Sequence, residues 1–145
     1  MITSSIEIGR KPEEVFAYID EFERHKEWQS AIVNARRQPA GPTVVGTRII
    51  ETRRIPGGPR EFVSDIVERI PPRRIVFQGL NGPIRPRGTI TIEPVGDGSR
   101  SRVTLELDLV GRGIGKLFAM MARREARKTV PRDQERLKEI MEGKK

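Results

Sequence analysis

A carboxylate that a strand turns toward the interior is the first feature of this sequence that could do chemistry. Glu68 has the same strand parity as Phe62 and Ile66, and Ser64 shares it. Alternate residues of a strand point to the same face of a sheet. In an apolar cavity the carboxyl group of Glu68 would have a raised pKa, and it could act as a general acid or base in an aldol cyclisation or a dehydration.

Two further charged residues could also face inward. Arg48 is in phase with Val44 and Ile50, and Glu125 lies near the apolar stripe of a C-terminal helix. Glu68 and Glu125 are therefore candidate catalytic carboxylates, and Arg48 could instead form an ion pair with one of them that orients a ligand. The alternative is that a bulge or a one-residue shift in register turns these groups to solvent.

The sequence lacks the residues that several other kinds of functional site require. The sequence has no cysteine and one histidine, His25, which excludes disulfides, thiol chemistry and a histidine-rich metal site. We find no carboxylate cluster, nucleophile elbow, phosphate-binding loop or dinucleotide fingerprint, so we expect no metal and no cofactor. His25 has charged neighbours on a short predicted helix, and we expect it at the surface.

Strand alternation and turn residues predict the elements that position these groups. Residues 2–9 alternate as a half-buried strand, Pro12 starts a short helix, and a second short helix ends near Trp28. From residue 32 to residue 110 strands alternate with turns, and Gly96 to Gly98 is the clearest hairpin signal. The sequence predicts about six antiparallel strands here, with one dry face and one wet face.

The last thirty or so residues are predicted to form one long helix. Its apolar residues are large at both ends and small in the middle, at Ala122, Ala126 and Thr129. Such a helix suits a curved sheet with space left over, unless aromatic residues of the sheet fill that space. The stripe expected to face inward comprises Ile114, Leu117, Phe118, Met121, Ala122, Ala126, Thr129, Leu137, Ile140 and Met141.

Composition predicts one soluble, cytoplasmic domain spanning residues 1–145, without a membrane span.

From residue 112 onward eleven Lys and Arg residues stand against five Asp and Glu, so this segment carries six of the eight net positive charges. A basic helix face could bind an acidic protein, a phospholipid surface or RNA. A solvated face is favoured, since arginine dominates the whole chain as in a GC-rich bacterial genome. The lack of stacking aromatic residues argues against nucleic acid, and a homodimer is left open.

Several stretches carry a resemblance to a known superfamily. They are Ile6-Glu7-Ile8, Pro12 to Ile19, Trp28, Val44-Val45-Gly46-Thr47, Gly96-Asp97-Gly98 with Val103-Thr104-Leu105, and Gly111-Arg112-Gly113-Ile114-Gly115. Together with the order of elements, they resemble the helix-grip proteins of the START-like, SRPBCC superfamily, in particular its polyketide cyclase/dehydrase branch. The resemblance covers essentially the whole chain. It implies an α+β helix-grip fold, in which a curved antiparallel sheet of about seven strands wraps around the C-terminal helix, with two short helices after strand 1.

The resemblance also implies a cavity between the sheet and the C-terminal helix, opening beside loops 55–59 and 79–85. We expect it to bind or transport a hydrophobic or amphipathic small molecule such as a lipid, a fatty acid or a polyketide. A cyclase/dehydrase-like enzyme and a protein- or RNA-interaction module are the alternatives. Basic residues around the opening would suit an acidic head group, namely Arg53, Arg54, Arg60, Arg85 and Arg87. The candidate ligand-binding residues, each of which could also be plain core, are Phe16, Trp28, Arg48, Phe62, Ser64, Phe77, Leu105, Phe118, Met121, Ala122 and Glu125.

Overall fold

The computed structural model describes residues 1–55, 57–82, 84–111 and 113–143. Its elements in chain order are β1 (Ile2–Ile8), α1 (Pro12–Asp20), a 3₁₀ helix (Phe22–Glu27), β2 (Ile32–Gln38), β3 (Arg48–Ile55), β4 (Gly58–Ile70), β5 (Arg74–Gly79), β6 (Ile84–Val95), β7 (Arg100–Gly111) and α2 (Gly115–Met141). Pro56, in the first predicted loop of the opening, and Pro83, in the second, lie outside the described residues.

Within these residues, seven strands form one antiparallel sheet in the order β1-β7-β6-β5-β4-β3-β2. Strands β2 to β7 form a meander, and β1 adds to the sheet beside β7. The curved sheet, the two short helices after β1 and the long α2 confirm the predicted α+β helix-grip fold. Among the helices of the described residues, none combines the length and the apolar character that crossing a membrane requires.

One face of the sheet, called the inner face below, carries the helices and the hydrophobic core. Ile49, Ile66, Ile75 and Val103 are buried on it, on β3, β4, β5 and β7. The helix α1 packs on β6 and β7, the 3₁₀ helix packs on β2, and α2 packs on β1, β7 and β6. Full burial of one such isoleucine stabilises the fold by about 1.5–3 kcal/mol.

A bulge in β4 overturns the expected orientation of Glu68. Ile66 pairs with Phe77 of β5, but the next pair is Glu68 with Val76, so Val67 is an extra residue. An extra residue reverses the parity of the strand beyond it. Glu68 therefore lies on the outer face, where its carboxylate pairs with Arg74 at 3.0 Å.

The expected orientation of Arg48 is also wrong. Arg48 is in phase with Ile50, as predicted, but both lie on the outer face because it is Ile49 that enters the core. The guanidinium group of Arg48 pairs there with Asp65 at 3.1 Å. The strand also begins at Arg48, four residues later than predicted, because Val44 and Thr47 form a turn closed by two hydrogen bonds.

The N-terminal half of α2 presents a different side to the sheet than the sequence predicted. Its buried residues there are Gly115 and Ala119, whereas Leu117 and Met121 are exposed. A β-carbon at Gly111 would collide with the backbone of Gly115, so the tight turn from β7 into α2 requires a glycine at position 111. Because Gly115 and Ala119 take the inward side of the helix, the large side chains of this half point away from it. The expectation that Ile114, Leu117, Phe118 and Met121 form an inward stripe is wrong.

Candidate functional site

The inner face is open at one end. Along β4 the inner-face side chains pass from buried Ile66 and Ser64 to half-buried Phe62. On β5 and β7, Phe77 and Leu105 are half-buried in the same way. This open part of the inner face, beside α2, is called the groove below. The groove lies at the edge of the sheet that contains the last residues of β3, β5 and β7 and the first residues of β4 and β6. This side of the molecule is called the mouth end.

The floor of the groove depends on a glycine. Gly88 of β6 pairs with Phe77 of β5, and a β-carbon at position 88 would collide with the Phe77 ring. The ring therefore lies across the β6 backbone and does not project into the groove. Because a flat ring occupies less depth than an upright one, this arrangement keeps an apolar surface accessible.

An arginine is held at the edge of the groove by two polar residues. The Nε of Arg53 donates to Glu51 Oε1 at 3.0 Å, and its Nη2 donates to Gln29 Oε1 at 2.7 Å. Glu51 and Arg53 share the inner face of β3 with Ile49. These two bonds leave Nη1 without a partner among the described residues. A guanidinium group fixed in this way can donate its remaining hydrogens to a carboxylate or phosphate.

The same hydrogen-bond chain fixes the protonation of His25. Because Arg53 only donates, Gln29 presents its oxygen to Arg53 and its NH₂ group to His25 Nδ1, at 3.3 Å. Nδ1 then accepts, so the proton is on Nε2, which donates to the carbonyl oxygen of Ile19 at 2.6 Å. Burial lowers the pKa of His25, which favours this neutral form.

The prediction of a surface histidine is therefore wrong. His25 is buried, and its ring lies between those of Phe22 and Trp28, with centroid distances of 4.5 and 5.2 Å. The charged residues beside it in the sequence lie on the solvent side of the 3₁₀ helix, since one turn of such a helix exposes neighbours on different sides. His25 supports the residues of the groove edge from beneath.

Trp28 brings an unused donor into the core under the groove. Its side chain is buried, and its indole Nε1 has no hydrogen-bond partner in the described part of the chain. Buried polar groups are normally paired, so an unpaired one requires a reason.

A carboxylate of α2 lies on the other side of the groove edge. Asp133 Oδ1 accepts from the backbone N and the Oγ of Ser30, at 3.3 and 3.4 Å. Burial raises the pKa of Asp133, and the charge of Arg53 opposes the shift. Asp133 is thus the described carboxylate in this region whose environment favours its protonated form.

The structure brings together part of the residue set predicted from the sequence. Phe62, Ser64, Phe77 and Leu105 lie on the inner face, Ala122 is half-buried on α2, and Trp28 is buried beneath them. Phe16 is also buried in the core, with the guanidinium group of Arg69 5.3 Å from its ring centroid. Four residues lie elsewhere, because Arg48 and Glu68 are on the outer face and Met121 and Glu125 are exposed on α2. Phe118 is partly exposed at the start of α2.

The five arginines predicted around the opening lie on two different faces of the sheet. Arg53 and Arg60 pair across β3 and β4 on the inner face. Arg54, Arg85 and Arg87 are exposed and out of phase with the inner face. Two like charges opposite each other are destabilising unless an anion lies near them. Glu51 neutralises Arg53, whereas Arg60 has no ion pair among the described residues.

The sequence reasoning did not select Glu51, Gln29 or Asp133. One signal was present, since Glu51 alternates with Ile49 and Ile55 as an inner-face residue should. Both Ile49 and Ile50 are apolar, however, so the parity of β3 was ambiguous. The approach of Asp133 to Ser30 joins residues 103 positions apart and has no local signal.

A second, shallow groove lies at the opposite end of the molecule, between α1 and the end of α2. Its charged groups pair with one another: Arg10 contacts Glu14 at 3.3 Å, and Arg24 contacts Glu27 at 3.1 Å. The Tyr18 hydroxyl donates to Glu27, and burial together with this bond raises its pKa. The charged groups around this groove are therefore already paired within the protein. Its lining residues are Arg10, Glu14, Ala17, Tyr18, Glu21, Arg24, Ile140 and Met141.

Comparison with known proteins gives the same architecture. The family model described as "Polyketide cyclase / dehydrase and lipid transport" matches residues 1–142. A START superfamily protein from Mycobacterium smegmatis is similar with a TM-score of 0.74 and 15% identity, over 98% of this chain and 97% of that one. A Thermus thermophilus protein, TTHA0849, is similar with a TM-score of 0.71 and 20% identity, over 95% of this chain and 94% of that one. The di-domain ARO/CYC StfQ from the steffimycin biosynthetic pathway is similar with a TM-score of 0.70 and 16% identity, over 98% of this chain and 44% of that one. The comparison with curated protein sequences gave no match.

Proposed function

The chain belongs to the polyketide cyclase/dehydrase and lipid transport family, and on that premise we propose that it binds an amphipathic small molecule with an acidic head group in the groove. The observation that carries the proposal is the junction of half-buried Phe62 and Phe77 with the guanidinium group of Arg53. Ligand sites are typically apolar surfaces with a few fixed polar groups, and this junction has that composition.

The apolar part of the ligand would lie on the aromatic floor. Phe62, Phe77 and Leu105 keep part of their apolar surface exposed, and covering it with an acyl chain or a fused ring system yields about 25 cal/mol for each Å² removed from water.

The acidic head group would bind to Arg53. Its Nη1 has no partner among the described residues, while Glu51 and Gln29 fix the plane of the guanidinium group. Arg60, directly opposite on β4, adds a second positive charge on the same face. A carboxylate between them would relieve their repulsion and gain charge-assisted hydrogen bonds.

The proposal is tested first by native mass spectrometry of the freshly purified protein, followed by organic extraction of any bound molecule. A second measurement compares the affinities of a long-chain fatty acid and the matching fatty alcohol. We expect the acid to bind at least about tenfold more tightly, since a charge-assisted hydrogen bond contributes about 1.5–3 kcal/mol.

Arg53→Gln should remove this preference for the acid and leave the alcohol unaffected. Arg87→Gln, which removes the same charge from the outer face, is the matched control and should change neither affinity. If neither compound binds to the unmodified protein, the groove is not a ligand site. If both bind equally well, the role of Arg53 is wrong.

We propose an acid–base enzyme of the cyclase or dehydrase type as the second candidate, and the raised pKa of Asp133 favours it. A carboxyl group that stays protonated nearer to neutral pH can donate a proton to a bound carbonyl or hydroxyl oxygen. Asp133 replaces Glu68 and Glu125 in this role, because both lie away from the groove. Asp133→Asn should then abolish turnover of a polyketide-like substrate while preserving its binding. Unchanged turnover would eliminate the role.

A further inference from the structure

The N-terminal half of α2 exposes an unusual amount of apolar side chain. Ile114, Leu117, Phe118, Met120 and Met121 have between 46% and 76% of their surface accessible. These five residues are called the apolar tip. Single exposed apolar residues are normal on a protein surface, but a contiguous group of large ones marks a site of interaction.

The exposure of the apolar tip results directly from the packing of the helix. Gly115 and Ala119 are the buried residues of this half, and Arg123, one turn further on, donates to the carbonyl oxygen of Leu109 in β7. The large residues lie on the other sides of the helix, where they stay exposed. In an ordinary surface helix these positions would be polar.

A set of positive charges follows the tip along the helix. Arg124, Arg127 and Lys128 are exposed, as is Lys116 within the tip, and none of the four has an ion-pair partner in the described residues. The three residues 124, 127 and 128 are called the basic collar. Nearer the C-terminal end of the helix, Arg136 pairs with Glu139 and Lys138 with Glu142. The collar therefore presents unneutralised charge.

The spacing of the two features fits a lipid surface. The collar lies roughly 12 Å along the helix from the middle of the tip, at 1.5 Å per residue. Arg124 and Lys128 follow Leu117 and Met121 at helical spacing and so lie on the same side of the helix. An apolar helix face that lies in the interface enters a bilayer to about 5–10 Å, which brings these two residues to the head groups, where Lys and Arg are attracted to anionic lipids.

We propose that the mouth end of the protein docks on the surface of a bilayer that contains anionic lipids. The apolar tip enters the acyl region, and the basic collar contacts the head groups. The tip follows closely on the end of β7, where Gly111 pairs with Ile84 at the start of β6, so docking brings the groove to the membrane. If the groove binds a lipid-like molecule, as proposed above, this orientation would let the molecule pass between groove and bilayer.

The charges argue for this partner over a second copy of the chain. A symmetric dimer through the apolar tip would bring two basic collars together, and like charges across an interface oppose association. A lipid surface offers the opposite charge beside an apolar layer, which neither RNA nor an ordinary acidic protein surface provides. Phe118 is moreover the one aromatic residue of the tip, and single-stranded RNA needs several for stacking.

Sedimentation with lipid vesicles tests the proposal. The full chain is mixed with vesicles of phosphatidylcholine alone and with vesicles that also contain phosphatidylglycerol, at low and high salt. We expect tighter binding to the anionic vesicles than to phosphatidylcholine alone, and high salt should shrink this difference, because screening weakens the contribution of the collar and not that of the tip. Equal binding to both vesicles, or no binding to either, would overturn the proposal.

Three double variants identify the surface. Leu117→Gln with Met121→Gln changes the tip, and Arg124→Gln with Lys128→Gln changes the collar. Each should weaken binding to anionic vesicles by about tenfold or more. Arg100→Gln with Arg102→Gln removes two exposed charges at the far end of β7 and should have no effect. Circular dichroism confirms folding of each variant.

Two further outcomes would contradict docking on a membrane. A homodimer that the Leu117→Gln, Met121→Gln variant dissociates would assign the tip to self-association. RNA binding that the collar variant removes, without vesicle binding, would assign the collar to RNA. The fatty-acid measurements on Arg53→Gln are independent of these, so docking and ligand binding can fail separately.

Discussion

The two halves of the inner face share the same strands and differ in what covers them. Ile66, Ile75 and Leu137 are at most 1% exposed where α1 and the C-terminal half of α2 lie over the sheet. A few residues further along β4 and β5, Phe62 and Phe77 have the same parity but remain half-buried. Strand alternation decides which face a side chain takes, while a covering element decides whether that side chain is sealed.

Because of this difference, we expect the closed half to determine mainly stability and the open half to determine mainly ligand binding. The closed half removes large apolar side chains from water and supplies most of the hydrophobic stabilisation. The open half retains apolar surface and a fixed arginine, at some cost in stability. Variants in the two halves should therefore differ in which property they change.

Leu137→Ala should have the largest effect on stability. Leu137 is fully buried between α2 and the sheet, so its truncation leaves a cavity in the closed half and should lower the free energy of unfolding by about 3 kcal/mol. Urea denaturation followed by circular dichroism measures the change. Met121→Ala, in the exposed part of the same helix, is the matched control and should cost less than about 0.5 kcal/mol. Similar losses for both would remove the distinction between the halves.

Gly88→Ala should affect both properties, because Gly88 lies where the two halves meet. Its new methyl group forces the Phe77 ring off β6 and into the groove. We expect a loss of about 1–2 kcal/mol in stability and clearly weaker binding of a fatty acid. Thr89→Ala, on the opposite face of β6, should leave binding unchanged. Full affinity in Gly88→Ala would show that the ring does not limit the groove.

His25 should make the closed half sensitive to pH. Burial lowers the pKa of His25 below its usual value near 6.5, so the unfolded chain binds the proton more readily than the folded one. Stability should be complete above about pH 6.5 and should fall as the pH drops toward the folded-state pKa. His25→Gln keeps a donor for the Ile19 carbonyl but does not titrate, so this component of the pH dependence should disappear.

The tautomer of His25 can be measured directly, because it is the sole histidine of the chain. Long-range ¹⁵N–¹H correlation spectra at neutral pH should show one neutral imidazole protonated at Nε2. A signal from the Nδ1–H tautomer would contradict the hydrogen-bond chain from Arg53 through Gln29.

Glu68→Gln should have the smallest effect. Its carboxylate forms a solvent-exposed ion pair with Arg74 on the outer face, and such pairs contribute between 0 and about 1 kcal/mol. Stability should change by less than about 0.5 kcal/mol, and ligand affinity should not change. Loss of binding in this variant would mean that β4 adopts the unbulged register in solution.

Much of the fold could be predicted from local patterns, whereas much of the site could not. Alternation along 2–9 and 100–111 and the glycines at the β6–β7 hairpin determine strands and turns through neighbouring residues alone. The failures each required information from elsewhere in the chain. Val67 becomes a bulge because β5 pairs with Ile66 and Glu68 on either side of it, and Ile49 rather than Ile50 faces the core because its register with β4 places it opposite Ser64.

The amino-acid sequence by itself determined the class of fold, since periods of two and of 3.6 residues specify strands and helices without reference to distant contacts. It also determined the chemistry that is absent, because no cysteine and one histidine are facts of composition. Tertiary structure alone decided which polar groups meet. Gln29 meets Arg53 of β3, and Asp133 of α2 meets Ser30, while the packing of Gly115 and Ala119 on the inward side of α2 left the apolar tip exposed. Contacts between distant segments depend on how the elements pack, which no local pattern encodes.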